Sequence, residues 1–328
     1  MSYKYIDMHC DSLLHCLEDG ELYDHPGNML DISRMVSAGQ GAQFFAVFFL
    51  PKPDGSKPPP GVVIPVFPED DEYFKLASNI LRENIARHSD VIGLALNAAD
   101  IEQHSRENRC SAILTIEDGR AVLGDMKKLR YFYDAGVRAM SLTWNSANCF
   151  GSPNSMESDI MNAGLTEFGR DAIAEMNTMG MLIDVSHLSD GGFWDIIKLS
   201  KKPIVATHSN CRALCGHQRN LTDDMIVALA ENGGVSGINF AAMFLAEHGG
   251  EHSTVEDLCR HVLHFVNIGG EDCVGLGTDF DGISGTFEIG QPTEMHLLFD
   301  ALRSKGLTER QIEKFAFGNV LRLLRDTL

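Results

Sequence analysis

Long hydrophobic runs are missing from the 328 residues. The most apolar stretch, GAQFFAVFFL at 41–50, falls well short of the roughly 18 apolar residues a spanning helix needs. The opening MSYKYIDMHCDS has neither the charged start nor the apolar stretch of a secretory leader, and LRLLRDTL at the other end carries no hydrophobic anchor signal. A soluble, cytoplasmic protein is expected. Positive charge is scarce as well: 27 Lys and Arg against 46 Asp and Glu give a formal net charge of −19. Such a chain repels phosphate backbones and anionic lipid, which argues against nucleic-acid and membrane partners. Cys-x-x-Cys pairs, internal repeats and low-complexity blocks are also lacking. The eight cysteines are scattered, and no disulfide framework is expected at this size without a secretion signal. Cys211 and Cys215 bracket three residues near His208, but buried thiols are a simpler reading than a small zinc site.

What is present is an ordinary globular balance, 44% hydrophobic and 22% charged, enough for a sizeable core. Eight short apolar runs recur, at 3–9, 42–50, 111–117, 137–144, 181–187, 203–209, 234–240 and 273–279. Between them lie amphipathic segments such as 71–89, 166–180 and 190–202. Near the end, Thr308 and Gln311 form a capping-box pattern opening a helix that buries Ile312, Phe315, Val320 and Leu323. Strands alternating with helices imply parallel βα units, and eight of them suggest a closed (β/α)₈ TIM barrel occupying 1–328 as one domain. An open doubly wound sheet is the alternative, but GLGTDF at 275–280 lacks the third glycine of its phosphate-binding turn. The Pro- and Gly-rich stretch 51–72 reads as a long loop after the second strand, either plain surface or a lid.

Polar residues mark the ends of these runs. His9 and Asp11 end the first, Glu117 the third, His187 the fifth, His208 the sixth and Asp279 the eighth. In a barrel these are the C-terminal strand ends, the face that carries active sites. Singly each is weak. A strand-end histidine is as a rule a hydrogen-bonded structural residue, Glu117 could begin a turn with Asp118 and Gly119, and Asp279 and Asp281 suit a turn. Together, three histidines and three carboxylates at one end of five strands would be costly to bury unpaired, and a metal centre resolves that cost. Side chains two apart on a strand share a face, so His9 and Asp11 point inward together and Cys10 points away. Imidazole and carboxylate suit zinc. Five ligands exceed the needs of one open zinc site, whereas two metals sharing a carboxylate use all five and could hold a hydroxide between them. Asp279 would then be free to move protons.

These residues and their surroundings resemble the renal (membrane) dipeptidase family, peptidase family M19 of the amidohydrolase superfamily, nearly end to end. DMHCDS resembles its opening His-x-Asp motif and TIEDG its glutamate motif. DVSHLS and ATHSNCRALCGHQRNLTDD are similar to its two histidine motifs, and GLGTDFDG and FGNVLRLL to its closing segments. The resemblance implies two Zn²⁺ ions, with His9 and Asp11 on one, His187 and His208 on the other, and Glu117 bridging. It implies Asp279 as proton acceptor and donor, and Arg219 as the group that binds the substrate's C-terminal carboxylate. A planar fork gripping a carboxylate suits that task.

Two departures bear on substrate. Trp144 in SLTWNSAN stands where the family often has a carbonyl-binding histidine, so that task would pass to the metal or to Asn145, unless Trp144 merely packs. Ala241 replaces an aromatic residue of mammalian relatives. The resemblance therefore implies a zinc-dependent dipeptidase acting through a metal-bridging hydroxide, tolerant of a C-terminal D-residue and forming a homodimer. The glycolipid-anchored state of mammalian members is not expected. The alternatives are another amidohydrolase reaction, on an N-acyl amino acid or a lactone, and a non-catalytic metal-binding protein.

Overall fold

The computed structural model describes residues 3–50, 69–246 and 250–328. Most of the Pro-rich stretch, residues 51–68, lies outside the described residues; beyond it the helix Asp70–Arg87 begins at once. The main sheet is built from β1 (Ile6–Asp7), β2 (Ala42–Phe48), β3 (Ile92–Leu94), β4 (Cys110–Glu117), β5 (Val137–Ser141), β6 (Leu182–Asp184), β7 (Val205–Ala206), β8 (Val235–Ile238) and β10 (Val274–Leu276). Two short segments, β9 (His252–Ser253) and β11 (Thr286–Phe287), pair separately outside it.

All pairings in the main sheet are parallel, in the order β2-β1-β10-β8-β7-β6-β5-β4-β3, and β2 also pairs with β4. That last ladder runs from Ala42 opposite Ser111 to Phe48 opposite Glu117 and closes an eight-stranded barrel. The expected (β/α)₈ architecture is present. The ninth strand, β3, was not anticipated. It pairs with the first residues of β4, Ile92 opposite Cys110, before β5 takes over the same edge at Leu114. Three residues, IGL, are too few to show a periodicity, so only the pairing reveals them as a strand.

Local chemistry sets the connections. Thr166, Ser189, Thr222 and Thr254 each accept the backbone N–H of the third residue of the helix that follows, satisfying an otherwise orphaned donor. The expected capping box of Thr308 and Gln311 is formed. Its helix continues through a π-helical turn, Lys314–Gly318, into Asn319–Thr327. There Val320, Leu321, Leu323 and Leu324 pack with Ile6, Phe44, Ile113, Leu182, Val205 and Val235, closing the end of the barrel away from the polar strand ends. The larger core lies between the barrel and its helices.

Candidate metal centre

The six strand-end residues converge. His9, Asp11, Glu117, His187, His208 and Asp279 are each no more than 9% exposed. His9 Nε2 lies 3.6 Å from Asp11 Oδ2, 3.5 Å from Glu117 Oε2 and 3.7 Å from Asp279 Oδ1. The other Glu117 oxygen, Oε1, lies 2.9 Å from His187 Nε2 and 3.6 Å from His208 Nε2, and those two nitrogens are 3.0 Å apart. One carboxylate thus faces two sets of donors, one through each oxygen. His9 meets Glu117 and His208, and again Asp11 and Asp279, within the compass of a single ion.

The spacing around His9 is too long for hydrogen bonds, which hold N and O near 2.7–3.2 Å. Ligands 2.0–2.2 Å from a shared tetrahedral ion stand about 3.3–3.6 Å apart, close to what is seen. Among the described residues, His9 Nε2 and Asp11 Oδ1 are buried without a hydrogen-bond partner, the condition expected of atoms that await a cation. The donor set fits zinc chemistry.

Electrostatics point the same way. Burial opposes the charged form of His9, yet the Glu117 and Asp11 carboxylates outweigh it and push its pKa well above the ordinary value. Burial would raise Glu117, but His9 and His187 hold it well below the carboxylate range. His187 is lowered to about 4 by burial and by Arg219, and His208 falls well below its usual value by burial and the neighbouring His9 and Arg219 charges. Asp279 is raised to about 7, chiefly by burial, with His9 pulling down and Asp11 and Glu117 pushing up. Asp11, Glu117 and Asp279 crowd one buried volume, and the Arg219 guanidinium acts on Glu117 and Asp279 from beside it.

Backbone geometry positions these groups. Asp118, Asp279 and Asp281 all have positive φ, at 73°, 63° and 69°. A left-handed aspartate turns the chain sharply as it leaves the strand. Asp279 Oδ2 accepts from Asn239 Nδ2 at 2.8 Å, which leaves Oδ1 facing His9. Asp281 accepts from the Met29 and Leu30 backbone and from Ser12, tying the first loop to the rim. Gly282 packs against the cluster so closely that a Cβ there would meet Asp11 Oδ2 and Asp279 Oδ1.

Arg219 is buried over Phe244, its guanidinium carbon 5.6 Å from the ring centroid. It donates to Ser186 O, to Ser209 Oγ at 3.3 Å and to His208 O at 3.2 Å, while its Nε has no partner among the described residues. Burial lowers its pKa to about 10, so it stays charged at neutral pH. Trp144 is half-buried between Phe48, 5.0 Å away, and His187, 6.2 Å away by ring centroids. Asn145 is exposed. Cys10 turns away, its Sγ on Phe44 O, and Cys211 and Cys215 bond to the carbonyls of His261 and Met243. The sequence reading passed over Asn239, Gly282 and the buried aspartates Asp7 and Asp184. The ID pairs in YIDMH and LIDVSH, each just before a histidine, were the signal available.

The sequence profile of the membrane dipeptidases (Peptidase family M19) matches residues 1–327. A Klebsiella pneumoniae protein from the pqqA 5′ region is 38% identical over 271 residues, 80% of this chain and 98% of that protein. Dipeptidase tcpJ of Claviceps purpurea is 30% identical over 298 residues, covering 90% of this chain and 69% of its own. Among solved structures, a Rhodobacter sphaeroides metallopeptidase liganded with a phosphinate mimic of L-Ala-D-Ala superposes with a TM-score of 0.86 at 29% identity, with both chains fully covered.

Proposed function

The chain belongs to the membrane dipeptidase family, peptidase family M19, and from that premise we propose a binuclear zinc dipeptidase that accepts a C-terminal D-residue. The observation that carries the reading is the unpartnered His9 Nε2 among three carboxylates at shared-ligand spacing. His9 and Asp11 would hold one ion, His187 and His208 the other, and Glu117 both, consistent with its two oxygens facing different donors. Bound there, zinc polarises the scissile carbonyl and lowers the pKa of water at the site.

The chain's own residues supply the rest. Asp279, held through Oδ2 by Asn239, presents Oδ1 to the reacting centre. A carboxylate with one oxygen fixed by Asn239 and the other free can both take a proton from attacking water and return it to the leaving amine. Arg219, charged and with Nε unpaired, would orient the substrate carboxylate. Trp144 and Phe48 form an apolar wall beside His187 that limits water, while Asn145 would reach substrate only at the mouth. The D-residue tolerance draws support from the L-Ala-D-Ala mimic bound by the Rhodobacter relative.

Zinc per chain, turnover on a panel of L,L and L,D dipeptides and N-acyl amino acids, and the Asp279→Asn variant test this together. Two zinc ions per chain, cleavage of dipeptides, and a 10²–10⁴-fold loss in Asp279→Asn with zinc retained are expected. A zinc-loaded chain that cleaves only N-acyl amino acids, or an Asp279→Asn variant with full turnover, overturns the substrate or the proton role respectively.

A further inference from the structure

We infer that Thr207 is a positioning residue, relaying the Asp184 carboxylate to His208 and fixing that imidazole in its Nδ1–H tautomer, so that Nε2 offers its lone pair to the site. The inference rests on the metal reading above for its consequence but not for its geometry.

Asp184 ends β6 and is buried, as is Thr207 just beyond β7. Its carboxylate accepts four bonds. Oδ1 takes Ser186 N at 3.0 Å, Ser186 Oγ at 2.6 Å and Thr207 N at 3.0 Å, and Oδ2 takes Thr207 Oγ1 at 2.6 Å. A hydroxyl has one proton, and a 2.6 Å approach to a carboxylate oxygen requires it to lie there. Ser186 Oγ, 3.1 Å from Thr207 Oγ1, points its own proton at Asp184 Oδ1 at 2.6 Å. Thr207 Oγ1 therefore has only lone pairs for its third neighbour, His208 Nδ1, 2.8 Å away. That nitrogen must carry the hydrogen. A neutral imidazole has only one N–H, so Nε2 is bare, and it is Nε2 that faces Glu117 and His187. His187 offers a contrast, since its Nδ1 has no partner among the described residues to fix it.

The clasp is built from strand register. Asp184 lies opposite Val205, and the threonine sits two residues further along that neighbouring strand. The same relation recurs across the barrel, where Asp7 lies opposite Leu276 and accepts Thr278 N at 2.8 Å and Thr278 Oγ1 at 2.7 Å. Each threonine directly precedes a residue of the cluster, His208 in one case and Asp279 in the other. Only Thr207 passes the contact on to an imidazole.

The test needs the full chain stripped of metal and histidine-selective ¹⁵N NMR at neutral pH, with the His208 signals identified by their loss in His208→Asn. Nδ1 should be the protonated nitrogen. In Thr207→Val, which removes the acceptor at constant shape, the tautomers should mix and zinc affinity, by competition with a chelator, should fall 10–100-fold. Thr207→Ser should restore both. An Nε2–H tautomer in the wild-type chain overturns the inference, as does wild-type zinc affinity in Thr207→Val, or a serine variant as impaired as the valine one. Should the wild-type chain bind no zinc, the metal reading fails while the tautomer still decides the relay. The wild-type spectrum also decides it if Thr207→Val does not fold.

Discussion

Gly282→Ala separates the metal centre from the fold around it. Gly282 is exposed in the turn after Asp279, and its N–H donates to Asp279 O at 3.1 Å. Its φ lies outside the left-handed range, so alanine is tolerated by the backbone. The added Cβ, however, would stand 2.6 Å from Asp279 Oδ1 and 3.2 Å from Asp11 Cγ, with Asp11 Oδ2 closer still. Carbon and oxygen need at least 3.0 Å, so Asp279 must retreat by about 0.4 Å and Asp11 by more. Ligand distances tolerate only about 0.2 Å, and misplacement approaching 1 Å costs about 10²-fold in turnover. Zinc affinity should therefore drop at least tenfold, and kcat/KM about a hundredfold. The strain falls on two carboxylates of the cluster rather than on the apolar core, so the thermal stability of the metal-free chain should change by less than about 1 kcal/mol. Zinc per chain after dialysis, dipeptide turnover, and thermal unfolding without metal read the three quantities. Full zinc occupancy with wild-type turnover would refute the reasoning, because Gly282 would then not be a wall of the centre. An equal loss of metal-free stability would refute it differently, by showing that the turn itself fails.

Two other perturbations reach different parts of the structure. His261, pushed down to about 4 chiefly by burial, accepts Cys211 N–H at Nδ1 and has Leu245 O at 3.0 Å from Nε2, so it folds neutral. Below its ordinary value of 6.5 the unfolded chain takes up a proton the native state refuses, so stability present above pH 6.5 is lost as pH falls toward 4, by about 3 kcal/mol. Urea unfolding at pH 7 and 4.5 should show His261→Gln less stable at neutrality but losing less on acidification; equal losses in both proteins would contradict the burial argument. For Arg219, wild-type enzyme should prefer a dipeptide over its C-terminal amide by 10–100-fold, the worth of a charge-assisted bond. Arg219→Met should lose most of that preference and Arg219→Lys should keep part of it; a preference untouched in the methionine variant would remove Arg219 from carboxylate recognition.

The clustered strand-end residues were legible because parallel strands bury both faces, which makes a histidine or carboxylate closing an apolar run conspicuous. His9, Asp11, Glu117, His187, His208 and Asp279 all carry that mark. What the sequence could not show is which atom of each points inward, because neighbours across the sheet decide it. Asp184 and Thr207 are 23 residues apart in the chain, and Asp7 and Thr278 are 271 apart; only the offset of one strand against the next makes them partners. β3 escaped for a related reason, since three residues acquire strand character from β4 rather than from their own pattern. Arg219 shows the limit most clearly. The family resemblance implied a substrate contact, with a surface salt bridge as the plain alternative, yet its buried guanidinium binds the backbone carbonyls of Ser186 and His208. The residue proposed to receive the substrate carboxylate is thus fastened to the two strand ends that carry His187 and His208. On that proposal, a shift of either strand end would move Arg219 together with His187 and His208, because the guanidinium is bonded to Ser186 O and His208 O.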